Sequence, residues 1–144
     1  KKLTEGSAEF EAALKEFDDR MAHYRSYRVY PQLPDWPVVC FYPMSKRRNV
    51  GANWFTLPYE ERLRQMQEHG HSGRKFGAKV TQLVTGSTGL DDYEWGVTLF
   101  AVNPDDLKEV VYTMRFDEAS AVYADFGAFY VGMVTPIEEL IHHI

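Results

Sequence analysis

Lys79-Val80-Thr81-Gln82-Leu83-Val84-Thr85, then Gly86-Ser87-Thr88-Gly89, then the run from Tyr93 to Val102 decide how this chain folds. In the first piece Val80, Gln82 and Val84 alternate against Thr81, Leu83 and Thr85, the period-two pattern of a strand. The glycine-bracketed tetrapeptide reads as a turn and the apolar third piece as the returning strand, so an antiparallel hairpin sits mid-chain. N-terminal to it, Val38-Val39-Cys40-Phe41-Tyr42 has the β-branched and aromatic makeup of a buried strand. A polar, basic loop from Ser45 to Asn53 follows. Thr56, Pro58 and Glu60-Glu61 then read as a helix start, with acids at the positive end of the helix dipole. Leu63, Met66 and His69 fall on one face of that helix. C-terminal to the hairpin, Asn103-Pro104-Asp105-Asp106 is a second helix start, and Leu107, Val110, Val111 and Met114 supply its buried face. Phe129 to Val134 reads as a last strand and the proline-initiated tail as a short helix. The order from Val38 is β-α-β-β-α-β, which predicts an α+β, ferredoxin-like antiparallel sheet with helices on one face.

Ahead of this unit, Phe10, Leu14, Phe17, Met21 and Tyr24 recur at helical spacing, with Ser7 as the N-cap of an amphipathic helix. Pro31, Pro34 and Pro37 close off regular structure after it. The expected division is residues 1–37 as helix and proline-rich connection, 38–136 as the ferredoxin-like domain and 137–144 as a tail helix. A length of 144 residues suits one domain, and 44% hydrophobic with 26% charged residues excludes disorder. The most apolar stretch, Trp36 to Met44, falls far short of the roughly 20 residues that span a bilayer, so no membrane span is expected. The N-terminal Lys-Lys leads into polar residues and not an apolar signal core, and the lone Cys40 makes no internal disulfide. A cytoplasmic setting is expected. The net charge of -5 argues against a general nucleic-acid binder. Lys46-Arg47-Arg48 and Arg74-Lys75 nonetheless concentrate cations where an anionic ligand can be held.

Several chemistries lack their residues. Cys40 lies inside an apolar strand, where a thiol is packing. The chain has no G-x-S-x-G elbow and no P-loop, and Gly86-x-x-Gly89 belongs to a hairpin. His69 and His71 turn to different faces of a helix end and His142-His143 lie in the tail, so a multi-histidine metal site is not expected. What remains is His69 beside Leu63 and Met66. Such a histidine is either a satisfied core residue or the axial ligand of a haem, whose large apolar plate needs one imidazole on its iron. Tyr42 and Lys46 lie four apart at a strand end, with Met44 between them. A phenol there can relay electrons and protons, while Lys46 and Arg28 can pair with peripheral carboxylates; the alternative for Tyr42 is a sheet-face aromatic.

The stretch Phe41-Tyr42-Pro43-Met44-Ser45-Lys46-Arg47-Arg48, with Asn53-Trp54, Leu57-Pro58 and Glu60-Glu61-Arg62 leading to His69-Gly70, resembles the chlorite dismutase-like family. Within it the match is to the coproheme decarboxylases of Gram-positive bacteria. The resemblance continues through Gly73-Arg74-Lys75, Lys79-Val80-Thr81-Gln82, Thr85-Gly86-Ser87, Asp91 to Phe100 and Met114-Arg115-Phe116-Asp117-Glu118. It runs from after Arg28 to near Gly132.

The resemblance implies peroxide-dependent oxidative decarboxylation of Fe-coproporphyrin III (coproheme) to haem b, the last step of coproporphyrin-dependent haem biosynthesis. It implies His69 as the iron ligand and Gln82 as the distal residue, at a place where chlorite-degrading members carry arginine. It implies Tyr42 as the radical-forming residue that abstracts hydrogen from a propionate and Lys46 as its catalytic partner. Arg28, Pro43, Met44, Ser45, Met114 and Ser120 match porphyrin-binding positions, Arg28 and Ser120 those that hold propionates. Family members fuse two ferredoxin-like halves into an α+β barrel and assemble as rings of five. The resemblance therefore implies a homo-oligomer and a missing N-terminal half, present as a separate polypeptide or a lost segment. Two other readings stay open: a haem-binding module without turnover, and a cofactor-free oligomerisation domain.

Overall fold

A computed structural model of the chain describes residues 3–141. The tail pair His142-His143 lies outside them. The described chain forms two compact units, one ending at Leu33 and one beginning at Pro34.

The first unit is helix α1, Ala8–Val29. Ser7 caps it as expected, its Oγ accepting the Phe10 N–H at 3.2 Å. The helix runs beyond Tyr24, so Arg28 occupies its last turn and not the connection. There the guanidinium stands 5.9 Å from the Tyr24 ring centroid.

The second unit has the expected order with additions. Its elements are β1 (Val38–Lys46), the small hairpin β2 (Arg48–Asn49) and β3 (Ala52–Asn53), a 3-10 turn at Trp54–Thr56, and α2 (Tyr59–Arg74). The hairpin β4 (Val80–Gly86) and β5 (Trp95–Ala101) follows, then α3 (Pro104–Met114), α4 (Glu118–Ala121), β6 (Ala124–Phe126), β7 (Tyr130–Met133) and α5 (Ile137–Leu140). The main sheet runs β4-β5-β1, with β6 and β7 both antiparallel to β1 on its far side. This is the ferredoxin-like order, with the fourth strand in two pieces. Register pairs Val38 with Ala101, Cys40 with Leu99, Tyr42 with Val97 and Gln82 with Leu99. These residues share one sheet face, where Val38, Cys40, Tyr42, Val97 and Leu99 form the core with Leu107 and Val110 of α3.

Four departures from the sequence reading matter for the site. First, β1 does not stop at Tyr42 but continues through Pro43 to Lys46. Pro43 is tolerated because its backbone faces the break between β6 and β7, where its carbonyl accepts the Gly127 N–H at 2.9 Å. Second, the expected last strand, Phe129 to Val134, is present as β7, but a further piece, β6, pairs with β1 ahead of it. Between the two lies Gly127, where a Cβ would lie 2.7 Å from Pro43 Cγ and 2.9 Å from Tyr93 Cζ. Third, Leu63 and Met66 are 42% and 44% exposed, and α2 instead buries the polar residues Gln65 and Ser72. The reason is its position: α2 packs mainly on α3 and α4, not on the apolar sheet. Fourth, Asn103 is in the N-cap position of α3, but its side chain makes no cap bond and turns to Asp106 at 3.3 Å.

Candidate functional site

Alternation along β1 puts Tyr42, Met44 and Lys46 on the core face and Pro43 and Ser45 on the opposite one. Of that run, therefore, only the three even-numbered side chains share a face with Gln82 and with the helices. Pro43 packs at Gly127, and the Ser45 Oγ accepts the Glu94 N–H at 3.1 Å. A ligand on the helix side would meet these two residues through their backbone.

Tyr42 is 9% exposed and stacks on Phe129 at 4.3 Å between ring centroids, with Phe126 edge-on at 5.8 Å. Burial, and secondarily the neighbouring Cys40, pushes its phenol up to about 12, so it holds its proton at neutral pH. Met44 and Met114 pack against the same core, and Met114 touches α2 at Gly73. Gln82 pairs in register with Leu99 and is exposed.

His69 projects from the C-terminal half of α2. Its Nδ1 lies 3.2 Å from Asp117 Oδ2 and 3.4 Å from Ser120 Oγ, both at the start of α4. Asp117 is buried, and its other oxygen accepts the Ser72 Oγ hydrogen at 2.8 Å. A carboxylate at Nδ1 favours the tautomer protonated there and leaves the lone pair on the other ring nitrogen, Nε2. Burial pulls the His69 pKa down, Asp117 opposes this, and nearby Lys46 adds to the depression. The ring is therefore neutral at pH 7, as a metal-ligating imidazole must be. Its side chain is 27% exposed.

Lys46 ends β1 beside this pair. It is 9% exposed, its Nζ donates to Ala119 O at 2.5 Å, and it sits 4.5 Å above the Trp54 ring. Burial lowers its pKa to about 8 despite the opposing charge of Glu94. Trp54 packs edge-on against Tyr123 at 5.5 Å.

The structure thus joins His69, Ser120 and Lys46 around α4, and sets Tyr42, Met44, Gln82 and Met114 on the face towards which the helices pack. Arg28 belongs to the first unit. Ser120, expected among propionate-holding positions, lies against the imidazole. Sequence reasoning missed Asp117 as the partner of His69 and Glu94 as the partner of the β1 end. Both partnerships span more than 45 positions of chain, 48 in each case. No local spacing signals them. A depression of about 370 Å³ lined by Arg48, Asn53, Leu57 and Tyr123 lies at the β2–β3 hairpin and contains none of these site residues.

The donor set fits a haem iron. One neutral imidazole with its Nδ1 already engaged, on the same helix face as exposed Leu63 and Met66, would suit a single bond from protein to iron and contact with an apolar ring. Among the described residues no three His, Cys, Asp or Glu side chains converge as a metal cluster. No described helix is long and apolar enough to cross a membrane.

Known proteins resemble this chain in sequence and in fold. The family model described as chlorite dismutase matches residues 5–135, so the likeness takes in α1 and begins earlier than the sequence reading placed it. A coproheme decarboxylase of Staphylococcus carnosus is 57% identical over 113 residues, 78% of this chain and 45% of that protein. A Natronomonas pharaonis protein, named only as a candidate heme-binding protein, is 49% identical over 138 residues, 96% of this chain and 22% of its own length. A solved structure of a heme-binding protein from Thermus thermophilus matches with a TM-score of 0.79 at 42% identity, covering 99% of this chain and 52% of that one. The chain spans about half the length of the Staphylococcus and Thermus proteins, and less of the Natronomonas one. With the family match running through nearly all of its residues, the chain belongs to the chlorite dismutase family.

Proposed function

We propose that this chain carries the porphyrin-binding half of a coproheme decarboxylase, which converts Fe-coproporphyrin III to haem b with hydrogen peroxide as oxidant. The observation that carries the reading is the His69–Asp117 pair, an imidazole engaged at Nδ1 by a buried carboxylate, which leaves Nε2 as the nitrogen for a metal. The identity with proteins named coproheme decarboxylase supports the choice of substrate. For each reacting propionate, the side chain CH2CH2COO⁻ with one H⁺ and one H2O2 gives a vinyl group, CO2 and two waters. Bound iron porphyrin supplies the site at which peroxide is reduced.

The chain's residues divide the remaining work. His69 Nε2 would hold the iron, and Asp117 keeps the ring in the tautomer that allows it. Tyr42, protonated and packed by Phe126 and Phe129, is the hydrogen-atom relay to the propionate. Lys46 supplies positive charge at the same end of β1 and draws a carboxylate there. Gln82 is a neutral hydrogen-bonding group for the distal side, with no fixed cation to attract an oxyhalide. Arg28 and Ser120 serve the propionates, and Pro43, Met44, Ser45 and Met114 border the ring. The same reading carries assembly into a ring of five and a cytoplasmic setting, which sedimentation and fractionation test.

The experiment is titration of the purified chain with Fe-coproporphyrin III followed by peroxide, with mass spectrometry of the porphyrin. Loss of two CO2 and four hydrogens, one CO2 and two hydrogens per reacting propionate, is expected, and Tyr42→Phe should bind without converting. Conversion by Tyr42→Phe sinks the relay. The names of the Natronomonas and Thermus relatives, which speak of haem binding alone, favour a second reading, a haem-binding module. Stable binding with no product in the unaltered chain selects that one.

A further inference from the structure

Glu94 precedes β5 by one residue, yet it is only 6% exposed. A carboxylate buried to that extent is costly unless its oxygens are engaged. Here Oε2 accepts the Lys46 backbone N–H at 2.8 Å and Oε1 accepts from Arg48 Nη2 at 2.7 Å. The Glu94 N–H in turn lies 3.2 Å from Met44 O and 3.1 Å from Ser45 Oγ. The register explains the arrangement. The last β1–β5 pair is Met44 with Trp95, so the Lys46 amide extends past the end of that ladder. A main-chain donor left unpaired there would lose about a hydrogen bond's worth of stability. The Glu94 side chain supplies the acceptor that a longer β5 would have provided. On the other edge Lys46 pairs with Ala124 of β6, and the Arg47 N–H donates to Tyr123 O at 2.8 Å.

We propose that Glu94 is a positioning residue for Lys46: its carboxylate extends the sheet edge past β5 and anchors the backbone from which the Lys46 ammonium reaches Ala119 O and the Trp54 ring. Held on both edges, the backbone at residue 46 leaves the side chain little choice of direction. Arg48, bound to the other carboxylate oxygen, starts the turn into the β2–β3 hairpin and keeps that carboxylate from rotating away. This inference rests on the part given to Lys46 under the proposed function, and its test separates the two.

The first measurement uses the porphyrin-free full chain and amide hydrogen exchange. Glu94→Ala should expose the Lys46 amide to exchange about tenfold faster or more, while Val97 and Leu99 in β5 keep their protection. Glu94→Gln, which retains a carbonyl acceptor, should hold most of the protection, and Glu94→Leu, which has no acceptor, serves if the alanine variant does not fold. Unchanged exchange at Lys46 in the alanine variant, or in the leucine variant if alanine fails to fold, overturns the proposal. The second measurement is a double-mutant cycle in affinity for Fe-coproporphyrin III. Glu94→Ala should weaken binding about tenfold when Lys46 is present and have almost no effect in a Lys46→Ala background. Additive losses overturn the proposal. If Lys46→Ala itself leaves affinity unchanged, the part given to Lys46 fails, and the exchange measurement alone decides whether Glu94 anchors its backbone.

Discussion

Asp117 Oδ2 stands 3.2 Å from His69 Nδ1, across 48 positions of sequence, and the same carboxylate is fixed by Ser72 one helical turn further along α2. The carboxylate is thus held by the helix that carries the imidazole it orients. This geometry decides which ring nitrogen is available to a metal, and it ties the start of α4 to α2.

Replacing Asp117 with Asn exchanges an acceptor-only group for an amide and removes the charge that favours an Nδ1–H tautomer. Affinity for Fe-coproporphyrin III should fall about 10- to 100-fold. The iron–imidazole stretching band in resonance Raman should shift to lower frequency. Unaltered affinity and band position would show that Asp117 does not tune His69.

Tyr42 should be the last tyrosine of the folded chain to ionise. Its phenol sits at about 12, against about 10 for a free tyrosine. Because the folded value is the raised one, its contribution to stability is complete below pH 10 and is lost as pH rises towards 12. Alkaline titration followed by tyrosinate absorbance should lose its latest step in Tyr42→Phe. The variant should also denature with a shallower alkaline slope. A late step that survives the substitution belongs to another residue.

Gly127→Ala forces a methyl group to within 2.7 Å of Pro43 Cγ and 2.9 Å of Tyr93 Cζ and Oη. The backbone must shift, which endangers the Gly127 N–H bond to Pro43 O that holds β6 and β7 in line with β1. A loss of roughly 1–3 kcal/mol is expected from urea denaturation. Gly132→Ala, with nothing within 4 Å of its Cβ, should cost far less.

Glu61 illustrates an acid-side effect. Its hydrogen bond from Arg64, then that from Gln65, holds its carboxyl down at about 2, against an ordinary value of 4.5. A depressed folded value means the contribution is present above pH 4.5 and is lost as pH falls towards 2. Arg64 also binds Glu118 at 2.6 Å, so the network links α2 to α4. Glu61, Arg64 and Glu118 are open to solvent, so the effect is small and screened by salt. Glu61→Gln should flatten the acid limb of a stability profile at low salt and leave it nearly unchanged at high salt. An equal acid slope in both proteins at low salt refutes the assignment.

The chain's own order of residues was enough for its architecture. Alternation in Val80 to Thr85, the apolar run from Val38 and the helix starts at Pro58 and Pro104 each depend on neighbours within one element, so period and turn chemistry expose them. His69 and Tyr42 stand out in the sequence as candidates for a similar reason, as polar groups set within apolar local patterns. Tertiary structure alone decided what surrounds them. Leu63 and Met66 have the spacing of a buried face, yet they stay exposed because α2 rests on α3 and α4, a packing choice that no periodicity records. Pro43 reads as a strand end but lies mid-strand, because β6 and β7 break opposite it. Asp117 and Glu94 look like ordinary acids near element starts. They become the partners of His69 and of the Lys46 backbone only when α4 and β5 are folded against them, since a hydrogen bond depends on distance in space and not on separation along the chain.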